Sequence, residues 1–128
     1  MAKKKTPRIL VVDDEKEIRE ITQAFLILNG YEVNTAENGE DALNKLLATR
    51  YDVLITDLQM PKMGGIELLE KVSQIKSDAV TIVLTGYAVQ KSDFSREPFA
   101  HLCKPFSHNQ LIQTVEQGLK DQQLRQKL

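Results

Sequence analysis

A chain of 128 residues suits one globular domain with a single core and is too short for two well-packed domains. With 41% hydrophobic residues, 27% charged residues and a net charge of −1, the composition excludes a disordered polyelectrolyte and gives no global basic field for nucleic acid. The single cysteine, Cys103, excludes an internal disulfide and a Cys-rich metal site; it favours a reducing compartment, so a cytoplasmic location is expected.

The basic start, Lys3-Lys4-Lys5, is followed by an apolar run of only Ile9 to Val12 that ends in acids, which does not make a signal peptide. No apolar stretch approaches the roughly 20 residues of a membrane-spanning helix, and no membrane insertion is expected.

Ile9-Leu10-Val11-Val12 is rich in β-branched residues and closed by Asp13-Asp14, which predicts a fully buried strand. Ile18, Ile21, Phe25 and Leu28 then recur at helical spacing, with acids in the first turn and Gly30 as a stop. Tyr31, Val33 and Thr35 alternate as a strand, and Asn38-Gly39 turns into a helix carrying Ala42, Leu43, Leu46 and Leu47.

Val53 to Thr56 is a third strand, ending at Asp57, after which Met60-Pro61-Lys62-Met63-Gly64-Gly65 must be a loop. Ile66, Leu69, Val72 and Ile75 mark the next helix, and Val80 to Leu84 a fourth strand that stops at Thr85-Gly86. The segment from Ala88 to Ala100 has poor periodicity and contains Pro98, so a helix there is expected to be short or irregular. His101-Leu102-Cys103 gives a brief fifth strand, with Cys103 expected as a small buried residue. Ser107 and Gln110 form a capping-box signature before a last helix carrying Leu111, Val115 and Leu119, whose spacing Leu124 and Leu128 continue.

Strands alternating with helices predict a doubly wound parallel α/β sheet of five strands, because parallel neighbours need crossover connections and both faces must be covered. Ligands of such sheets bind beyond the carboxyl ends of the strands. Those ends carry Asp13 and Asp14, Asp57, Thr85 and Lys104. Three carboxylates, a hydroxyl and an ammonium on one rim call for a hard cation together with an anion. Oxygen donors of this kind suit Mg2+; His101 and His108 have no partners for a zinc site.

Asp13-Asp14, the run Asp57-Leu58-Gln59-Met60-Pro61-Lys62-Met63-Gly64-Gly65, Thr85-Gly86 and Lys104-Pro105-Phe106 closely resemble the receiver domain of response regulators in two-component phosphorelay systems. The resemblance implies a (βα)5 fold with the flavodoxin-like strand order 2-1-3-4-5. The expected organisation is a basic arm over residues 1–7, the receiver over 8–119, and a helix extension or linker tail over 120–128. The resemblance further implies that Asp57 takes a phosphoryl group from a histidine kinase or histidine phosphotransfer protein, in a Mg2+-dependent reaction. Asp14 would ligate Mg2+ directly, Asp13 through a water and Gln59 through its backbone carbonyl, with Asp57 completing the set. Lys104 and the Thr85 hydroxyl would hold phosphate oxygens. The Lys104-Pro105 bond is expected to be cis, as in relatives. No separate substrate turnover is expected, so the chain reads as a signalling phosphoacceptor with a downstream protein partner rather than an enzyme.

Two features depart from the family. His101 stands where many receivers carry an aromatic residue that changes rotamer on activation, and its plain reading is a partly exposed strand residue. Thr85 and Lys104 are unusually close in sequence, so the surface around the fourth and fifth strands is atypical. Gln59 and Tyr87 lie two positions after Asp57 and Thr85, where side chains influence attack by water, and Tyr87 is expected to shield an acyl phosphate.

The rival readings are a pseudo-receiver that binds partners without accepting phosphate, a small-molecule phosphohydrolase, and DNA binding through Lys3, Lys4, Lys5 and Arg8. The complete residue set opposes the first, the lack of room for a cap the second, and the ordinary solvated state of a short basic terminus the third, so no direct nucleic-acid contact is expected.

Overall fold

The computed structural model describes residues 6–60, 62–75, 77–86 and 97–127. The basic residues Lys3 to Lys5, Tyr87 and most of the expected irregular segment before the fifth strand lie outside them.

Five strands form one parallel sheet: β1 (Arg8–Val12), β2 (Glu32–Ala36), β3 (Val53–Asp57), β4 (Val80–Thr85) and β5 (Ala100–Cys103), in the order β2-β1-β3-β4-β5. The described helices are α1 (Lys16–Leu28), α2 (Gly39–Ala48), α3 (Gly65–Gln74) and α4 (His108–Gln126). The expected order 2-1-3-4-5 is thus found, and no helix of the described residues is long and apolar enough to cross a membrane.

Alternation along the strands divides the core between the two faces of the sheet. Leu10, Val12, Leu54 and Val83 pack with Ala42, Leu46, Leu68, Leu69 and Val72 of α2 and α3. Ile9, Val11, Val53, Ile55, Ile82 and Leu84 face the other way, against Leu26 of α1 and Leu111, Ile112 and Val115 of α4. This two-sided burial explains why β1, β3 and β4 are nearly continuous hydrophobic runs. Each fully buried Ile or Leu contributes about 1.5–3 kcal/mol by leaving water.

Helix ends follow local chemistry. α1 stops at a Schellman arrangement in which Gly30, at φ +88°, lets its N–H reach the Ile27 carbonyl and the Tyr31 N–H reach that of Leu26. Asn38 caps α2 by accepting from the Asp41 N–H at 2.8 Å. The capping box expected at α4 is present, Ser107 Oγ accepting from the Gln110 N–H and Gln110 Oε1 from the Ser107 N–H.

Three packing expectations are corrected. The buried residues of α1 are Thr22 and Leu26, while Ile21 and Leu28 are 49% and 77% exposed. Leu124 of α4 is exposed, and Gln122 is the residue buried in that part of the helix. Its amide donates to the carbonyls of Asp52 at 3.3 Å and Asp78 at 3.1 Å, at the base of β3 and β4. Cys103 is exposed: burial alternates along β5, with Ala100 and Leu102 partly covered and His101 and Cys103 on the exposed face.

Arg8, one of the basic residues of the DNA-binding reading, ends in a 3.2 Å ion pair with Glu32.

Candidate functional site at the carboxyl edge of the sheet

Because the strands are all parallel, their carboxyl ends share one edge, and the register aligns them: Val12 faces Thr56, Asp57 faces Leu84 and Thr85 faces Cys103. Asp13 directly follows β1, Asp57 closes β3, Thr85 closes β4 and Lys104 directly follows β5. Four segments distant in sequence are thereby brought to one rim.

Lys104 organises the rim. Its Nζ donates to Asp13 Oδ2 at 3.0 Å and to Asp57 Oδ2 at 3.2 Å, and lies 4.0 Å from Glu15 Oε1. Its backbone N–H donates to the Thr85 carbonyl at 2.7 Å, which fixes the start of the β5–α4 turn against the end of β4. The Lys104-Pro105 bond is cis, as expected.

Asp13 is fully buried, and burial raises its pKa above the ordinary value, since desolvation outweighs the Glu15 N–H donated to Oδ1 at 2.9 Å and the nearby ammonium. Burial also works against the charge on Lys104, but the hydrogen bonds and charges of Asp13 and Asp57 outweigh it, and its pKa is raised. Asp57 is buried, with Oδ1 accepting from the Gln59 N–H at 3.3 Å. Asp14 and Gln59 are exposed at the mouth, and Thr85 is fully buried at the end of β4.

The carboxylates of Asp13, Asp14, Glu15 and Asp57 can each offer one oxygen within 4.8 Å of the others. Hard oxygen donors of net negative charge are the chemistry Mg2+ selects, and a divalent cation would relieve the repulsion that a single ammonium only partly balances. The residues therefore fit that ion.

Two contributors were not picked out from sequence. Glu15 is the N-cap of α1, yet its side chain makes no cap hydrogen bond and joins the acidic group instead. Arg19, one turn into α1, donates to the Asp13 carbonyl at 2.8 Å and so fixes the β1–α1 turn. An acid following Asp13-Asp14 and a cation on the first turn of the next helix were the available signals.

The loop from β3 to α3 is shaped by close approach. A Cβ on Gly65 would overlap the Asp57 carbonyl oxygen and Leu58 Cα, so only glycine fits there. Lys62 adopts the left-handed region at φ 67°. Met60 and Met63 pack against the α2–α3 core.

Comparison with known proteins agrees with this arrangement. The model of the response regulator receiver domain matches residues 9–116. Transcriptional regulatory protein ResD of Bacillus subtilis is 33% identical over 116 residues, 88% of this chain and 48% of that protein. Regulatory protein AtoC of Escherichia coli is 30% identical over 124 residues, 94% of this chain and 27% of that protein. This chain thus spans about half, or less, of these relatives. Among solved structures, response regulator protein TrrA from Thermotoga maritima, in complex with Mg2+ and BeF, is 38% identical with a TM-score of 0.79, over 89% of this chain and all of that one. A CheY-like receiver domain protein from Methanospirillum hungatei is 28% identical with a TM-score of 0.85, over 94% and 99% of the two chains. With the family's match covering most of the chain and the fold and rim arranged as described, this protein belongs to the response regulator receiver domain family.

Proposed function

We propose that the chain is a phosphoacceptor switch in which Asp57 receives a phosphoryl group from a phosphohistidine of a histidine kinase or histidine phosphotransfer protein. The observation that carries this reading is the convergence of Asp57, Asp13 and Lys104 within hydrogen-bond distance at the carboxyl edge of the sheet.

In the transfer an Asp57 carboxylate oxygen forms the new O–P bond, while the P–N bond breaks and the imidazole nitrogen leaves with the electron pair. Asp13, Asp14, Asp57 and the Gln59 carbonyl would hold Mg2+, with Glu15 beside them; the ion supplies positive charge against the phosphoryl oxygens. Lys104, already donating to Asp57, exchanges that partner for a phosphoryl oxygen, and the Thr85 hydroxyl donates to another. The product is an acyl phosphate that signals to a downstream protein, without turnover of a separate substrate. A cytoplasmic setting suits such partners. The receiver unit extends beyond residue 119 to the end of α4, since Gln122 bonds to the base of the sheet.

The test is incubation with Mg2+ and acetyl phosphate followed by intact mass measurement. One added phosphoryl group is expected in the wild type, and none in Asp57→Asn or with chelator. A wild type that binds Mg2+ yet gains no mass would favour the phosphate-independent pseudo-receiver.

A further inference from the structure

We infer that Gly39 is a positioning residue for the phosphoacceptor site, acting through Met63 on the loop that carries Gln59. The inference rests on the reading of that rim as a Mg2+ and phosphoryl site.

Gly39 is the first residue of α2, and its N–H is one of the amides a helix start leaves without an internal partner. Asn38 satisfies the Asp41 amide, whereas the Gly39 amide leaves the helix and donates to the Met63 carbonyl at 3.2 Å. This bond ties the β3–α3 loop to a neighbouring element near the loop's far end. At the near end, the Gly65 N–H donates to the Leu58 carbonyl at 3.0 Å, and the Leu58 N–H to that of Leu84 at 3.2 Å. Gln59 lies between these ties, with its own N–H on Asp57 Oδ1.

The approach of α2 to the loop leaves no room for a side chain. A Cβ on Gly39 would stand 2.5 Å from the Met63 carbonyl oxygen and 2.8 Å from both Met63 Cβ and Cγ. Backbone is what it meets first, so a rotamer change of Met63 cannot relieve the overlap. The loop must move, or the hydrogen bond must open. Lys62, held at positive φ beside Met63, gives the displaced segment little alternative backbone freedom. Gln59 lies on the loop that must give, and its carbonyl orientation is what a hard, octahedral cation tests most strictly.

Helix propensity predicts the opposite of damage. Ala is a better helix former than Gly, so a purely local role for Gly39 makes Gly39→Ala neutral or stabilising. The positioning role predicts instead a folded protein with a displaced loop and weakened metal binding, by roughly tenfold, as for other residues that orient metal ligands indirectly.

The experiment uses 15N-labelled full chain. Without added metal, Gly39→Ala should shift the amides of Leu58, Gln59 and Gly65; titration with Mg2+, followed on the same amides, should then give the weaker affinity. Met63→Ala, which removes Cγ but keeps the Gly39 N–H bond, should bind Mg2+ like the wild type. In the wild type itself, Mg2+ should slow hydrogen exchange of the Gly39 amide, because coupling between the ion and this bond is reciprocal. That measurement needs no variant to fold. A Gly39 amide whose exchange ignores bound Mg2+, or a folded Gly39→Ala with unmoved Gln59 and wild-type affinity, would overturn the inference alone. A wild type whose amides do not respond to Mg2+ would overturn the metal reading of the rim, and the inference with it.

Discussion

Asp13 and Lys104, 91 positions apart in sequence, meet at 3.0 Å across the ends of β1 and β5, with the carboxylate fully buried and the ammonium shared with Asp57. The lysine is thus an internal counter-cation for two carboxylates that would otherwise oppose each other, and it is the same charge that the proposed transfer would set against a phosphoryl group.

Lys104→Met removes that charge and leaves Asp13 and Asp57 facing each other. Without Mg2+ the variant should lose about 1–3 kcal/mol of stability, the cost of stranding buried charged acceptors. Added Mg2+ should then raise its melting temperature by more than it raises that of the wild type. Thermal unfolding with and without the ion measures this, and equal increments would show that Lys104 does not balance the same charges.

Asp13 predicts a pH dependence. Its pKa in the fold is raised by burial, so the native state holds the proton more tightly than the unfolded chain does. Stability from this group falls as pH climbs from the ordinary carboxylate value through the raised one, and the penalty is fully present above the raised value. Asp13→Asn should therefore stabilise the protein, in the absence of Mg2+, increasingly as pH rises through the raised value, by on the order of 1 kcal/mol, while abolishing a function that needs the charge. The stabilisation should vanish below the carboxylate range. Denaturant titrations at several pH values check both statements.

Thr22 is fully buried on α1, and its hydroxyl finds no hydrogen-bond partner among the described residues. Burying such a group without a partner costs roughly 1–3 kcal/mol, and valine has nearly the same shape. Thr22→Val should stabilise the fold by about 1 kcal/mol and leave phosphorylation by acetyl phosphate unchanged. Urea unfolding and the intact-mass assay, run side by side, would reveal either failure.

Gln122→Ala removes the donor that serves the Asp52 and Asp78 carbonyls. A loss of about 1–2 kcal/mol is expected, with amide exchange at residues 121–126 accelerated more than in the first turns of α4. Uniform acceleration along the helix would mean that the glutamine does not hold the end of α4 down.

The sheet and the site were legible for the same reason. β1, β3 and β4 are buried on both faces, so they appear as unbroken apolar runs, and a polar residue ending such a run marks the rim where ligands bind. Asp13, Asp57, Thr85 and Lys104 could be identified from those breaks and from the family motifs around them. The phase of α1 could not. Phe25, Leu26, Ile27 and Leu28 surround its last turn with apolar side chains, so spacing reveals a helix but not which face the sheet covers; Thr22, polar in composition, is on the buried face. Cys103 misled because burial alternates along β5, and a four-residue strand does not reveal in advance which of its two faces is covered. Glu15 escaped notice because an acid at a helix start ordinarily serves that helix, and only the turn held by Arg19 directs it toward the site.

α4 begins four residues after Lys104 and ends against the opposite edge of the sheet, where Gln122 bonds to Asp52 and Asp78. Its 19 residues make a rod of about 28 Å, longer than any strand beside it. A rod anchored at its base converts a small shift at its upper end into a tilt rather than a translation. If the proposed phosphoryl group draws Lys104 away from Asp57, the helix that begins four residues later would take up the change as a tilt about Gln122.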